Sequence, residues 1–137
     1  MSRYCLDTSA YSHFKRGHAP VVELIDGADW IGVSTIVLGE LWLGFGLGDR
    51  ARQNVRELHQ FLASPVVEVL SVDANIAQVF GEIAGGLRRK GTSIPTNDVW
   101  IAATAIRHES PILSYDRDFL RIERARATIL SVPRIRS

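Results

Sequence analysis

Apolar and polar positions fall in blocks along this chain. Short apolar runs, Tyr4-Cys5-Leu6, Trp30-Ile31-Gly32-Val33, Pro65 to Leu70, Pro111 to Ser114 and Thr128-Ile129-Leu130, are separated by longer segments of helical periodicity. The run Trp30 to Val33 is wholly apolar and suits a central strand of a parallel sheet covered on both faces, and the others read as further short strands. Between them, helices are predicted from Ser9 to Lys15, Val21 to Ile25, Ser34 or Thr35 to about Gly46, Arg50 to Leu62, and Ala74 to Arg89. Asp73 is placed as the N-cap of the fifth, and Gly91 closes it behind Arg88-Arg89-Lys90, whose charges complement the helix dipole. After Pro95, Thr96 and Asn97 are read as caps of an alanine-rich buried helix that begins at about Asp98. In the third helix, Ile36, Glu40, Leu43 and Leu47 share one face and Val37, Leu41 and Phe45 another. Four glycines, Gly39, Gly44, Gly46 and Gly48, weaken that helix, so packing must hold it, with a second subunit as one source.

Strands alternating with helices across one unit predict an α/β fold, a three-layer α/β/α sandwich with a central, mostly parallel sheet. Ligands of such sheets bind outside the carboxyl ends of the strands. That rule gives meaning to four acids in apolar surroundings. Asp7 follows the first strand and Asp116 the fourth, Asp98 opens a helix after Thr92–Ile94, and Glu40 lies one turn into the helix after the Trp30 strand. Asp98 alone could be a helix-capping acid. Four converging carboxylates cannot all be caps. Two of them near 4 Å apart repel by roughly 4 kcal/mol at an effective dielectric of about 20, so they need a cation or shared protons.

Composition narrows the chemistry. The chain has 137 residues, 46% apolar and 23% charged, which suits a single domain spanning 1–137. A net charge of +1 does not by itself predict a nucleic-acid partner. Arginines outnumber lysines 14 to two, six of them between Arg117 and Arg136, and arginine is the better fork for phosphate. Cys5 is the only cysteine and is read as a small buried hydrophobe, excluding an internal disulfide and suiting a reducing cytoplasm. The N-terminus lacks a signal-peptide pattern, and the most apolar window, Thr35 to Leu47, is too short to span a bilayer, so a cytoplasmic protein is expected. His13 and His18 lack partners at metal-ligand spacing and are read as surface residues. An all-oxygen acidic cluster without nearby His or Cys suits a hard cation, Mg²⁺ or Mn²⁺, and phosphodiester hydrolysis is the natural reaction.

Four motifs in order carry a family resemblance: Leu6-Asp7-Thr8-Ser9, Ser34 to Leu41, Ile94 to Ala103, and Leu113-Ser114-Tyr115-Asp116-Arg117-Asp118-Phe119. Together they resemble the PIN-domain nucleases, and within them the VapC-like toxins of toxin–antitoxin pairs. The resemblance implies that Asp7, Glu40, Asp98 and Asp116 are the acidic metal ligands and catalytic residues, with Thr8 and Ser114 as polar neighbours and Asp118 as an assistant. Ser114 stands where the family often has Thr, and Tyr115 where it has a small polar residue. It further implies Mg²⁺- or Mn²⁺-dependent endonucleolytic cleavage of RNA, commonly tRNA or ribosomal RNA. The implied partners are a second copy of the chain and a VapB-like antitoxin that obstructs the site, in a higher assembly, with no membrane. Other readings are a housekeeping RNA-processing nuclease, a non-catalytic RNA- or protein-binding module, and an aspartyl-phosphate phosphatase. The last wants a second acid two residues after Asp7, where this chain has Ser9.

Overall fold

The computed structural model describes residues 2–132, so Arg134 and Arg136 of the arginine-rich tail lie outside it. Five strands form one sheet: β1 (Arg3–Leu6), β2 (Trp30–Ser34), β3 (Val67–Leu70), β4 (Ile112–Ser114) and β5 (Ala127–Ile129). Every pairing is parallel and the order is β3-β2-β1-β4-β5. Six helices flank the sheet: α1 (Thr8–Lys15), α2 (Ala19–Asp26), α3 (Thr35–Leu47), α4 (Ala51–Leu62), α5 (Ala74–Arg89) and α6 (Thr96–Arg107). A 3₁₀ turn, Arg117–Arg121, follows β4. The expected α/β/α sandwich with a parallel sheet is therefore observed. No helix among the described residues is long and apolar enough to cross a membrane.

The topology fixes where a ligand can sit. The chain lays down β1, steps outward to β2 and β3, then returns past β1 to place β4 and β5 on the other side. The strand order thus reverses between β1 and β4. A crevice opens at such a switch point, outside the carboxyl ends of the two strands. Asp7 and Asp116 lie within two residues of those two ends.

The core forms where the apolar runs predict it. Leu6, Ile31, Val33, Ile112 and Leu113 of the central strands are at most 1% exposed, and Cys5 is buried as expected, its thiol pushed up to about 11 chiefly by burial. In α6 nearly every residue from Val99 to Ala105 is buried, and the small alanines let the helix lie close to its neighbours. Trp100 meets Phe80 of α5 ring on ring, with centroids 3.8 Å apart. Gly32 in β2 marks another close approach. A Cβ there would come within 2.5 Å of the Trp30 ring and 2.7 Å of Leu70 Cδ1. Gly32→Ala is expected to cost about 1–2 kcal/mol by overpacking, read as a lower midpoint in urea with unchanged slope.

Several boundaries differ from the sequence reading, helix α2 starting two residues early at Ala19 and β5 one residue early at Ala127. Helix α6 starts at Thr96, with Pro95 as its N-cap and no side-chain cap. Thr96 and Asn97 are therefore helical, because the Pro95 carbonyl itself accepts from Asp98 N and Val99 N and starts the ladder. Helix α1 starts at Thr8 because Asp7, not a hydroxyl residue, caps it through Ala10 N. Strand β3 starts at Val67 and is an edge strand with Glu68 and Val69 exposed. The α3 stripe is also corrected. Val37 and Leu41 are buried, whereas Leu43 is 65% and Leu47 81% exposed, so the C-terminal half of α3 overhangs the core. Asp73 does cap α5, accepting from Ile76 N at 2.9 Å, and Gly91 takes the left-handed conformation that ends it.

Candidate active site

Asp7 is almost wholly buried at the end of β1 and is held from every side. Its Oδ1 accepts from Ala10 N at 2.9 Å and Ser9 Oγ at 2.8 Å, and its Oδ2 from Ser114 Oγ at 2.6 Å. Burial nonetheless raises its pKa, these hydrogen bonds opposing the shift and the charge of Asp116 adding to it. Ser114 ties β4 to β1 at this point, since its Oγ also accepts from Asp116 N at 2.8 Å. Asp116 caps the 3₁₀ turn, accepting from Asp118 N at 2.9 Å. That turn swings Asp118 back towards Asp116.

Asp98 stands in the first turn of α6, facing the same crevice. One carboxylate oxygen from each of Asp98, Asp116 and Asp118 lies within 4.8 Å of the others. Among the described residues Asp98 makes no side-chain hydrogen bond or ion pair, so the helix-capping explanation does not use its carboxylate. Its pKa is pushed up to about 7, first by burial and then by the negative charges of Asp116, Asp7, Glu40 and Asp118. All the acids named from the sequence therefore act on Asp98 at Coulombic range. Asp7 and Glu40 stand outside the closest triad, and Asp118, expected only as an assistant, stands inside it.

Glu40 is half-buried rather than enclosed by apolar side chains, and among the described residues no arginine pairs with it. The Thr8 hydroxyl donates to its Oε1 at 2.7 Å. Helix α1 thus supplies a hydroxyl to each flank of the crevice, Thr8 towards Glu40 and Ser9 towards Asp7. Ser9 was missed in the sequence reading as a site residue, although its place two residues after a strand-ending acid was visible.

His13 and His18 are not the free surface residues expected. Both are half-buried against Tyr115, His13 stacking on the ring with centroids 3.9 Å apart and His18 bonding the phenol through Nδ1. No periodicity signals such a contact between segments about a hundred residues apart in sequence.

The donor set suits a hard divalent cation. Every group is an oxygen, and among the described residues the only ion pair made by the triad is a loose one, Arg121 at 3.8 Å from Asp118. Burial first and the neighbouring negative charges second hold a proton on Asp98, and a cation would offset both. This has a measurable consequence. Unfolded, Asp98 would lose its proton near 3.8; folded, it keeps it to about 7. Between those values the folded state binds more protons, so stability falls as pH rises. In chelator the melting temperature should drop from pH 5 to pH 8 by several degrees, about 1–2 kcal/mol once solvent screening is allowed for. Magnesium at pH 8 should restore it, and Asp98→Asn should flatten the slope. An equal slope in Asp98→Asn would remove Asp98 as its source.

The comparisons with known proteins agree with the fold. The PIN domain model matches residues 4–125. The chain is 34% identical over 93 residues to Ribonuclease VapC4 of Mycobacterium tuberculosis, covering 68% of this chain and 71% of that one. It is 30% identical over 124 residues to Ribonuclease VapC2 of Rickettsia felis, covering 87% and 91%. Its fold superposes on the DNA-bound VapBC structure from Salmonella typhimurium with a TM-score of 0.84 at 26% identity, covering 94% of this chain and 98% of that one. Sheet order, the crevice between β1 and β4 and these similarities together mean that the chain belongs to the PIN-domain family and groups with the VapC ribonucleases within it.

Proposed function

We propose that this chain, as one PIN domain spanning 1–137, is an Mg²⁺- or Mn²⁺-dependent endoribonuclease and the toxin of a VapBC-type pair. The observation that carries the reading is the cluster of Asp98, Asp116 and Asp118 at the switch point of the sheet, with Asp98 raised to about 7 by burial and its acidic neighbours. Asp98, Asp116 and Asp118 would hold the ion most directly, with Asp7 and Glu40 completing the acidic ligand set around it. When bound, it activates water and neutralises the scissile phosphate.

The remaining work belongs to the protein. Ser114 and Ser9 fix both oxygens of Asp7 and leave its carboxylate a single orientation. Thr8 orients Glu40 in the same way. The 3₁₀ turn keeps Asp116 and Asp118 paired against the opening of α6. Such locked carboxylates lose little freedom on loading and act as one preorganised unit.

The relatives' names supply the partners. VapBC assemblies pair the toxin with an antitoxin, so a VapB-like protein is expected to cover this crevice, on a homodimer of this chain in a cytoplasmic complex. Trp42, Leu43 and Leu47 present apolar surface on α3, and a Cβ at Gly39, Gly44 or Gly46 would meet nothing within 4 Å. A second chain packed there supports a helix that its own glycines weaken. The substrate is RNA, with tRNA and ribosomal RNA the structured candidates.

Incubation of antitoxin-free protein with end-labelled total RNA in Mg²⁺, Mn²⁺ and EDTA tests this. Discrete cuts that need metal are expected. Binding without cuts under any condition, with the protein folded, would replace the enzyme by a binding module.

A further inference from the structure

Tyr115 stands between the last residue of β4 and Asp116, and its ring is not part of the acidic site. It lies on His13 with 20° between the planes, while His18 leans against it at 5.4 Å and 57° and bonds its hydroxyl. His13 and His18 meet edge to face at 5.9 Å. The three rings come from three segments, α1, the loop before α2 and the loop after β4, and all are only partly buried. Two hydrogen bonds to Ser9 tie the rings to the acidic site. His13 Nδ1 bonds the Ser9 carbonyl at 2.9 Å, and Tyr115 N donates at 3.0 Å to the same Ser9 Oγ that holds Asp7.

Packing alone does not call for this composition. A contact meant only to join α1 to the loop would do better with aliphatic side chains and no polar ring edges. Rings with polar edges, held rigid and partly open beside a phosphodiester site, offer a flat π-face and peripheral hydrogen bonds. Bases of single-stranded nucleic acid take such platforms, stacking on aromatic and imidazole faces. Arg117, two residues after Tyr115 in the chain, is exposed and offers charge for a neighbouring phosphate. The acids themselves read only phosphate and metal, and carry no information about sequence.

We propose that the His13–Tyr115–His18 cluster is a nucleobase-stacking subsite that holds the base of a nucleotide adjoining the scissile phosphate. It rests on the ribonuclease reading above and adds the element that favours one phosphodiester over another. The test uses Asp98→Asn as background, so that no strand is cut, and two labelled probes: a short oligoadenylate and the same ribose-phosphate oligomer without bases. Adding Tyr115→Ala should weaken the oligoadenylate about tenfold and leave the abasic oligomer unchanged. Tyr115→Phe, which keeps the ring and drops the His18 bond, should restore most of the loss. His13→Leu, which removes the stacked ring but keeps an apolar side chain, should repeat the selective loss should Tyr115→Ala fold poorly.

Equal losses on both probes, or none, would overturn the subsite. Loss of antitoxin binding alone, with both oligomers bound normally, would assign the rings to the protein partner and overturn it too. Cleavage of total RNA by the unmutated chain is read separately. Its absence defeats the ribonuclease reading, whereas metal-dependent cleavage with unselective probe binding defeats only the subsite.

Discussion

Asp98→Asn is expected to lower metal-dependent RNA cleavage by on the order of a thousandfold or more while leaving the fold intact. The size follows from what the side chain does. Asp98 is the carboxylate on which the other acids bear, and its oxygen completes the triad with Asp116 and Asp118. Asparagine keeps one carbonyl oxygen at the same place but removes the negative charge that makes a divalent ion preferable to water. A thousandfold loss corresponds to about 4 kcal/mol, within the several kcal/mol such an ion contributes to charge stabilisation. The metal-free variant should also be no less stable than the unmutated chain at pH 8, because the substitution takes one charge out of a repulsive cluster. Cleavage of end-labelled RNA, with melting curves in chelator, measures both. Cleavage within tenfold of the unmutated chain would show that Asp98 is not a metal ligand. A collapse in melting temperature would mean that it is structural.

The acids were legible because each sits beside a strong local signal. Asp7 ends the first apolar run, Asp116 follows another, and Pro95 marks the start of the helix that carries Asp98. Strand order did the rest, since parallel sheets put carboxyl ends and helix starts at one edge. Helix starts were less legible than strands. Asp7 took over the cap of α1 and a backbone carbonyl that of α6, both depending on contacts no propensity records. The α3 stripe misled because its periodicity was right but its depth was not: a helix that overhangs the core exposes Leu43 and Leu47 on an apolar pattern indistinguishable from a buried one. Asp118 was expected as an assistant, yet a 3₁₀ turn folds it into the closest triad, a geometry that spacing alone did not single out. The rings around Tyr115 were invisible for a different reason. They meet only in the folded chain, across 97 residues in the case of His18 and Tyr115.

Phe119→Ala tests how the core supports the site. Phe119 is fully buried and anchors the 3₁₀ turn, between Asp118 on one side and the Ile122 amide that its carbonyl accepts on the other. Truncating a buried phenylalanine costs about 3–5 kcal/mol in lost transfer energy and cavity, a large part of the 5–15 kcal/mol typical of a domain. The variant should therefore melt roughly 10 °C or more below the unmutated chain. Activity should fall further than the folded fraction does. The cavity opens within the turn that carries Asp118 and that Asp116 caps, and a turn free to shift by about an ångström no longer presents two oxygens as one preorganised pair. Phe119→Leu, closer in volume, should cost about 1–2 kcal/mol and keep most of the cleavage. Activity per folded molecule, measured well below the melting midpoint, separates the two effects. If it is unchanged in Phe119→Ala, the turn is held by its own hydrogen bonds, from Asp118 N to Asp116 and from Asp116 N to Ser114, and not by the buried ring of Phe119.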